Sequence, residues 1–521
     1  MKKILIVFVA LLGVLLLTSC TKATYKFEIT EISTYRNTAT ISYSFSDEES
    51  QLITSEIKYV ISSKEENADI SKTGVIDKND DTLKITGLVA DTEYVITVTT
   101  AFDGKEEVLV QDKSFKTINV GTSEENPFII NTNDDFKNAF ASDTEGYYKL
   151  GADLDLEGYN LTPVYTSKTF LGTFDGNGKT ISNFTLGSES SRYSNSNYIA
   201  LFGRLGETGV IKNLNISNAT IYASRSSTSY FGILVAYNTG NISNVKISDS
   251  KINISSTSSY AQNVGGLVGY NDGTGVIENC ELSNVKVEAA IQNELNLGGF
   301  VGKNTANMDA TSTRINKISN CKVSNVSIEV THTATHTISN INVKVGGFIG
   351  MNNATVENCS VSGLINAHED LTKNNTIVAM IGGFAGQNFV NGSSKIIGAT
   401  SSVSLNVVFN NSKVGLLVGQ NGNDYPTSSA LISNSKAVVA EGQTFALSGQ
   451  EYQLGVVGLD KKAGDKGYTL EGELSGLINV YNEENKLVRL DTVKINVSGF
   501  EVTASEEVVE EEPVEEGQQE E

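Results

Sequence analysis

The chain has 521 residues, a formal net charge of −22, 47 glycines, 4 prolines and no tryptophan. That charge repels nucleic acid and anionic lipid surfaces alike, so neither is expected as a partner, while the length allows several domains or one extended array. Glycine together with abundant Ser, Asn, Thr and Val suits short strands joined by tight turns rather than helices, so an all-β chain is expected.

At the N-terminus, Lys2 and Lys3 precede an apolar run from Ile4 to Leu17. This is the charged start and apolar centre of an export signal, too short to span a bilayer comfortably. The run ends in Leu17-Thr18-Ser19-Cys20, which resembles the bacterial lipobox. The resemblance implies a lipoprotein signal peptide over 1–20, lipidation of Cys20, and a mature chain outside the cytoplasm that meets a membrane through its lipid. An ordinary signal with an incidental cysteine and an uncleaved anchor are the alternatives.

Residues 21–118 alternate with period two in Tyr25–Ile29, Ala39–Phe45, Glu56–Ile61 and Tyr94–Thr100, with polar turns between. The pattern predicts a small antiparallel sandwich. The segment from Leu83 to Val98 resembles the fibronectin type III signature, which implies that Leu88 opens a corner and Tyr94 closes it. The early tryptophan of that family is missing here, and a generic immunoglobulin-like sandwich is the alternative.

Residues 119–197 change texture. Asn126–Ile130 reads as a strand, and Asn133–Phe140 has a capping start followed by Phe136, Ala139 and Phe140 at helical spacing. A helix there is placed to cover the edge of a first coil. Gly178-Lys179-Thr180 imitates the end of a phosphate loop, but Thr173 stands where glycine is required and a strand-like run follows.

From 198 to 450 one phrase recurs: Ile199–Gly203, Gly232–Ala236, Gly265–Gly269, Gly298–Gly302, Gly346–Gly350, Gly382–Gly386 and Gly415–Gly419. Successive starts lie 33, 33, 33, 48, 36 and 33 residues apart, the period of a supersecondary unit stacked on copies of itself. The phrase, with the lead-in Phe170-Leu-Gly-Thr-Phe-Asp-Gly-Asn-Gly178, resembles the GLUG repeat family over about 126–440. The resemblance implies a right-handed parallel β-helix of the pectin-lyase-like kind, of about seven repeats, on a bacterial surface or secreted protein.

Six copies are followed by an asparagine: Asn238, Asn271, Asn304, Asn352, Asn388 and Asn421. Coils stacked about 4.8 Å apart would align these amides into a hydrogen-bonded ladder, and asparagine also tolerates a left-handed corner. The same account is expected for a second column, Asn213, Asn244, Asn279, Asn320, Asn358 and Asn434. Where the spacing swells to 48, the insertion carries His332 and His336, and a second cluster, His368-Glu369-Asp370, follows. Loops that grow on a regular scaffold are where binding is expected, so these five residues are the candidate binding loops.

Residues 451–503 keep strand-like pieces without the phrase, as closing coils or a cap. Nine glutamates and no basic residue fall between Glu506 and Glu521, so 504–521 is expected to be a disordered acidic tail. Cys280, Cys321 and Cys359 share one slot with Leu214, Val245, Ala399 and Ser435, a small interior site rather than a nucleophile or metal ligand. A polysaccharide lyase or hydrolase needs clustered acids with a base, but the acids from Tyr198 to Gln450 look scattered, with no recurrence in one column. No cofactor and no metal are expected. The expected role is non-catalytic: a lipid-anchored surface rod that binds an extracellular glycan or protein, with an enzyme on the same scaffold and a purely structural spacer as the alternatives.

Overall fold

The computed structural model describes residues 24–508 except 53, 65–70, 141–143, 160, 258–259, 307–315, 334–340, 372–376, 390–393, 423–429, 442, 450, 462–466, 482–486, 498 and 503–505. The export signal, Cys20 and His336 therefore lie outside the described residues. The chain divides into two compact units, one from the N-terminus to Asn126 and one from Pro127 onward, with residues 141–143 assigned to the first.

The first unit is a pair of antiparallel sheets. Strands β1 (Lys26–Thr34), β2 (Thr38–Ser46) and β5 (Thr82–Thr86) form one, in the order β1-β2-β5; β3 (Ile57–Ser63), β4 (Ser71–Ile76), β6 (Glu93–Phe102) and β7 (Lys105–Lys116) form the other, in the order β4-β3-β6-β7. Period-two alternation decides what faces in: along β6, Tyr94, Ile96, Val98 and Thr100 are buried and their neighbours are not. They meet Phe27, Ile41, Tyr43, Ile57 and Ile61 in one core. The Tyr94 ring stacks 5.6 Å from Phe115, and its hydroxyl oxygen accepts the Val89 N–H at 2.9 Å, tying the β5–β6 connection to the core.

The second unit is a parallel β-solenoid of about seven turns over residues 173–471. One coil shows the path: Val276–Glu278, a corner at Asn279, Glu281–Ser283, a corner at Asn284, Lys286–Ile291, then Leu295–Gly298, a glycine corner, and Val301–Ala306. Each piece pairs in parallel with its copy one coil on, as in Ile277 with Ile318, Val287 with Ile328 and Leu297 with Val345. Five columns of strands result, and the apolar residues of each point into a shared interior. Phe300, Phe348 and Phe384 stack there with centroids 4.6 and 4.8 Å apart, the spacing of the coils themselves.

The glycines of the phrase mark a close approach rather than a left-handed backbone. A Cβ on Gly265 would stand 2.0 Å from the Val268 carbonyl oxygen, and one on Gly269 2.6 Å from the Phe231 nitrogen. At these two glycine positions the corner between the fourth and fifth columns is thus folded too tightly for a side chain without a local shift.

Both ends of the stack are covered. Helix α1 (Asn133–Ala139) has a reciprocal cap, with the Asp135 N–H donating to Thr132 Oγ1 at 3.1 Å and Asp135 Oδ2 accepting the Thr132 N–H at 3.0 Å. It sets Phe136 against Phe174, while Phe140 just beyond it meets Phe170, Phe174 and Phe202. At the far end, Leu474–Tyr481 still pairs in parallel with Phe445–Gly449 on one edge but antiparallel with Leu487–Asn496 on the other, and Leu487–Asn496 pairs in turn with Gly499–Val502 and Glu506–Val508. The expected disorder from 504 is corrected at this last strand: Val508 stands opposite the buried Val488, so ladder pairing extends into the first residues of the acidic run. Residues 509–521 lie outside the described residues.

Candidate functional site

The phrase's asparagines form an inner column. Asn238 donates through Nδ2 to Asn271 Oδ1 at 2.6 Å, Asn271 to Asn304 at 2.8 Å, and Asn304 to Asn352, Asn352 to Asn388 and Asn388 to Asn421 at 2.9 Å each. Asn421 donates at 3.0 Å to Asp460, so the column ends on a carboxylate. All six are buried, and none has a left-handed backbone. The shared explanation expected for the two asparagine columns is corrected here. Asn213, Asn244, Asn279, Asn320, Asn358 and Asn434 do sit at φ between 49° and 55°, turning the corner after the first strand column. A third series, Asn183, Asn218, Asp249, Asn284 and Asn325, turns the next corner in the same way. The left-handed turn belongs only to the corner series, while coil-to-coil hydrogen bonds occur in both kinds, as in Asn244 Nδ2 to Asn213 Oδ1 at 3.1 Å and Asn325 Nδ2 to Asn284 Oδ1 at 2.8 Å.

His332, His368 and Glu369 lie on strands rather than in loops. His332 and Glu369 end the long strands Lys322–His332 and Ser360–Glu369, stand in register with each other, and face inward at 2% and 4% exposure. Strand alternation at the end of the third column carries them to the inner side, which corrects their placement as binding loops. Neither ring nitrogen of His332 has a hydrogen-bond partner, and burial pushes the imidazole down to about 4. Glu369 Oε1 accepts the Asn410 N–H at 2.7 Å. His368 faces outward with Nε2 3.2 Å from Thr331 Oγ1, and Asp370 is exposed.

The acids also need correction. Glu288 and Glu329 are register partners on the outer side of the third column, so two carboxylates do stand together. Burial opposes the charge of Glu288, but hydrogen bonds from Lys251 at 2.8 Å, Lys286 at 2.5 Å and Asn253 hold its carboxyl down to about 2. Glu329 accepts from Asn366 Nδ2 at 2.9 Å. A general acid needs a raised carboxyl, and Glu288 is pushed the other way. The thiols of Cys280, Cys321 and Cys359 are buried, each 3.1–3.2 Å from the carbonyl oxygen two residues before it. Ser435 makes the same bond at 2.9 Å, and burial pushes the Cys280 and Cys321 thiols well up, away from reactivity. Among the described residues no three His, Cys, Asp or Glu side chains could hold a metal.

The structure brings together a group that sequence reasoning did not single out. Two outward columns flank the glycine corner and face each other across it. Tyr198, Tyr230, Asn263, Asn296, Lys344, Met380 and Lys413 line the fourth column. Arg204, Tyr237, Tyr270, Lys303, Met351, Gln387 and Gln420 line the fifth. Contacts across the corner close the seam: the Arg204 guanidinium lies 5.1 Å above the Tyr198 ring, Tyr230 meets Tyr237 edge-on at 5.4 Å, and Lys413 Nζ donates to Gln420 Oε1 at 2.8 Å. Tyr230 and Tyr270 stack at 5.7 Å, with Lys303 Nζ 4.9 Å over the Tyr270 ring. The Tyr237 hydroxyl donates to Asp272 Oδ2 at 2.5 Å; burial and that carboxylate together push the phenol far up. Burial pushes the Lys303 and Lys344 ammonium groups down, against the fields of Asp272 and Glu294. The only sequence signal for this seam is position: in the last six copies its members lie two residues before and five after the first residue of the phrase.

Residues 260–288 match the GLUG motif. Two relatives match partly: halomucin from Haloquadratum walsbyi, 29% identical over 140 residues, and a protein of Evansella cellulosilytica named as a Gly-rich membrane protein, 31% identical over 133 residues. The matches take in 25% and 24% of this chain but 1% and 15% of those relatives, so the chain spans a small part of either. Among solved structures, an IgA1 protease aligns with 75% of this chain and 29% of its own length, at 16% identity and a TM-score of 0.32. Pectate lyase PelI from Erwinia chrysanthemi aligns with 91% and 94%, at 12% identity and a TM-score of 0.13. Among the described residues no helix is long and apolar enough to cross a membrane.

Proposed function

We propose that this is an exported, lipid-anchored surface protein whose β-solenoid, right-handed like most parallel crossovers, presents a non-catalytic binding surface for an extracellular glycan or protein. The observation that carries the reading is the contrast between the repeated interior and the seam, whose outward-facing, half-buried to buried chemistry changes from aromatic to amide to cationic to thioether along the stack. A spacer alone has no need of that change. The first unit serves as a fibronectin type III-like module; its two sheets of three and four strands, and the Tyr94 hydroxyl that returns to the backbone five residues upstream, support that assignment. Anchoring rests on Cys20, since paired acyl chains hold a protein stably at a membrane.

The test uses the full-length chain and its Cys20→Ser variant. The native protein should partition with membranes and the variant should not. Immobilised, the protein should retain at least one member of a panel of acidic and neutral polysaccharides and surface proteins without converting it. Release of unsaturated or shortened sugar would overturn the non-catalytic reading, and retention of nothing would leave a spacer.

A further inference from the structure

We infer that the middle of the seam is a binding site for an acidic glycan, with Lys303 and Lys344 taking its anionic groups; this deepens the ligand-presenting reading above and rests on it. Lys303 and Lys344 come from successive coils and from opposite sides of the glycine corner, and Lys344 feels the charge of Lys303. Neither makes an ion pair or a conventional hydrogen bond among the described residues. Several lysines elsewhere on the coils are matched: Lys246 lies 3.4 Å from Glu281, Lys251 2.8 Å from Glu288, and Lys317 2.6 Å from Glu357. A chain with a net charge of −22 thus sets two half-buried ammonium groups side by side and leaves both without a carboxylate at ion-pair distance.

A second observation stands beside them. Asn296 donates to Asn263 Oδ1 at 3.0 Å, but its own Oδ1 is buried and has no partner, because the next residue up the column is Lys344 rather than another amide. The site therefore lacks two things at once: negative charge at the lysines and a hydrogen-bond donor at Asn296. A sugar that carries a carboxylate or sulfate beside free hydroxyls supplies both.

Calorimetric titration of the full-length chain tests this with hexamers of a uronate, a sulfated sugar and a neutral sugar, and with hexaglutamate as the peptide alternative. Either or both acidic sugars should bind at least tenfold more tightly than the neutral one, and the margin should shrink as added salt shortens the screening length. Comparing the uronate with the sulfated hexamer tells which anion is preferred. Lys303→Met and Lys344→Met should each weaken acidic binding about tenfold. Methionine is the safe replacement because Met351 and Met380 hold the same columns one coil on, so the thermal midpoint should stay level or rise. Unchanged acidic binding in both variants, or a fallen midpoint with affinity intact, would mark the lysines as structural and overturn the site. Equal affinity for neutral and acidic sugars, or a preference for hexaglutamate, would also overturn it while leaving the ligand-presenting reading standing. That broader reading fails only if the wider panel is not retained at all.

Discussion

The two faces of the strand Val301–Ala306 carry columns of opposite character. Asn304 points inward into a column of six asparagines, each donating to the next; Lys303 points outward into a column that runs arginine, tyrosine, tyrosine, lysine, methionine, glutamine. Both columns obey the same register and the same coil spacing. Inside, each amide bonds the same amide in the next coil as well as nearby backbone groups, so the residue is kept the same from coil to coil. Outside, no matched ladder runs the length of the column, and the chemistry changes from coil to coil. Uniformity along the stack therefore reports packing, and variation reports positions that packing leaves free for binding.

The most direct way to break this contrast is to truncate the inner residue. Asn304→Ala removes the acceptor for Asn271 and the donor to Asn352, leaving both buried amides short of a partner. Asn271 keeps its bond to the Gly275 carbonyl and Asn352 its bond from the Ala354 N–H, so the loss of two buried amide–amide bonds should cost roughly 2 kcal/mol, read as a lowered urea midpoint. Lys303→Met, one residue away on the same strand, should cost nothing. Equal losses at the two positions would erase the distinction between the faces.

His332 tests the same boundary through pH. Its folded value near 4 lies below the ordinary imidazole value of 6.5, so the folded protein resists protonation that the unfolded chain accepts. Stability from the neutral ring is complete above about pH 6.5 and is lost as pH falls toward 4, up to roughly 3 kcal/mol. His332→Ile places the residue that Ile291 supplies one coil earlier and should flatten that part of the stability profile. Replacing the outward-facing His368 should leave the profile intact. The check is urea unfolding at several pH values between 4 and 7.

What could be read in the sequence follows from the same contrast. The glycine phrase and its trailing asparagine stand out because the interior repeats with the coil, and the three cysteines fall in one slot for the same reason. The seam is hidden because Tyr270, Lys303 and Met351 share a position but no chemistry. His332 and Glu369 were misplaced for a different reason: the 48-residue spacing suggests only loop growth, whereas part of this region belongs to the strand Lys322–His332, whose alternation turns the histidine inward. The Glu288–Glu329 pair escaped notice because aligning copies on the glycine phrase fails across the long insertion, and only strand register brings the two acids together.

The two corner series offer the gentlest test, because their asparagines hold a left-handed backbone at an exposed position, where any side-chain bond to the next coil is open to water. Asn279 has φ 54° and an exposed side chain; the same corner in a later coil is Gly398 at φ 65°. A left-handed backbone costs an ordinary L-residue about 1 kcal/mol, a cost that asparagine reduces and glycine avoids. Asn279→Ala should therefore lower stability by about 1 kcal/mol, and Asn279→Gly should stay within about 0.5 kcal/mol of the parent, its gain in fit offset by the freer unfolded chain. The ordering alanine below glycine is the diagnostic. At Asn304 the side chain itself is needed, so glycine there should be at least as damaging as alanine, and a reversal at either site would show that the two kinds of asparagine had been assigned the wrong way round.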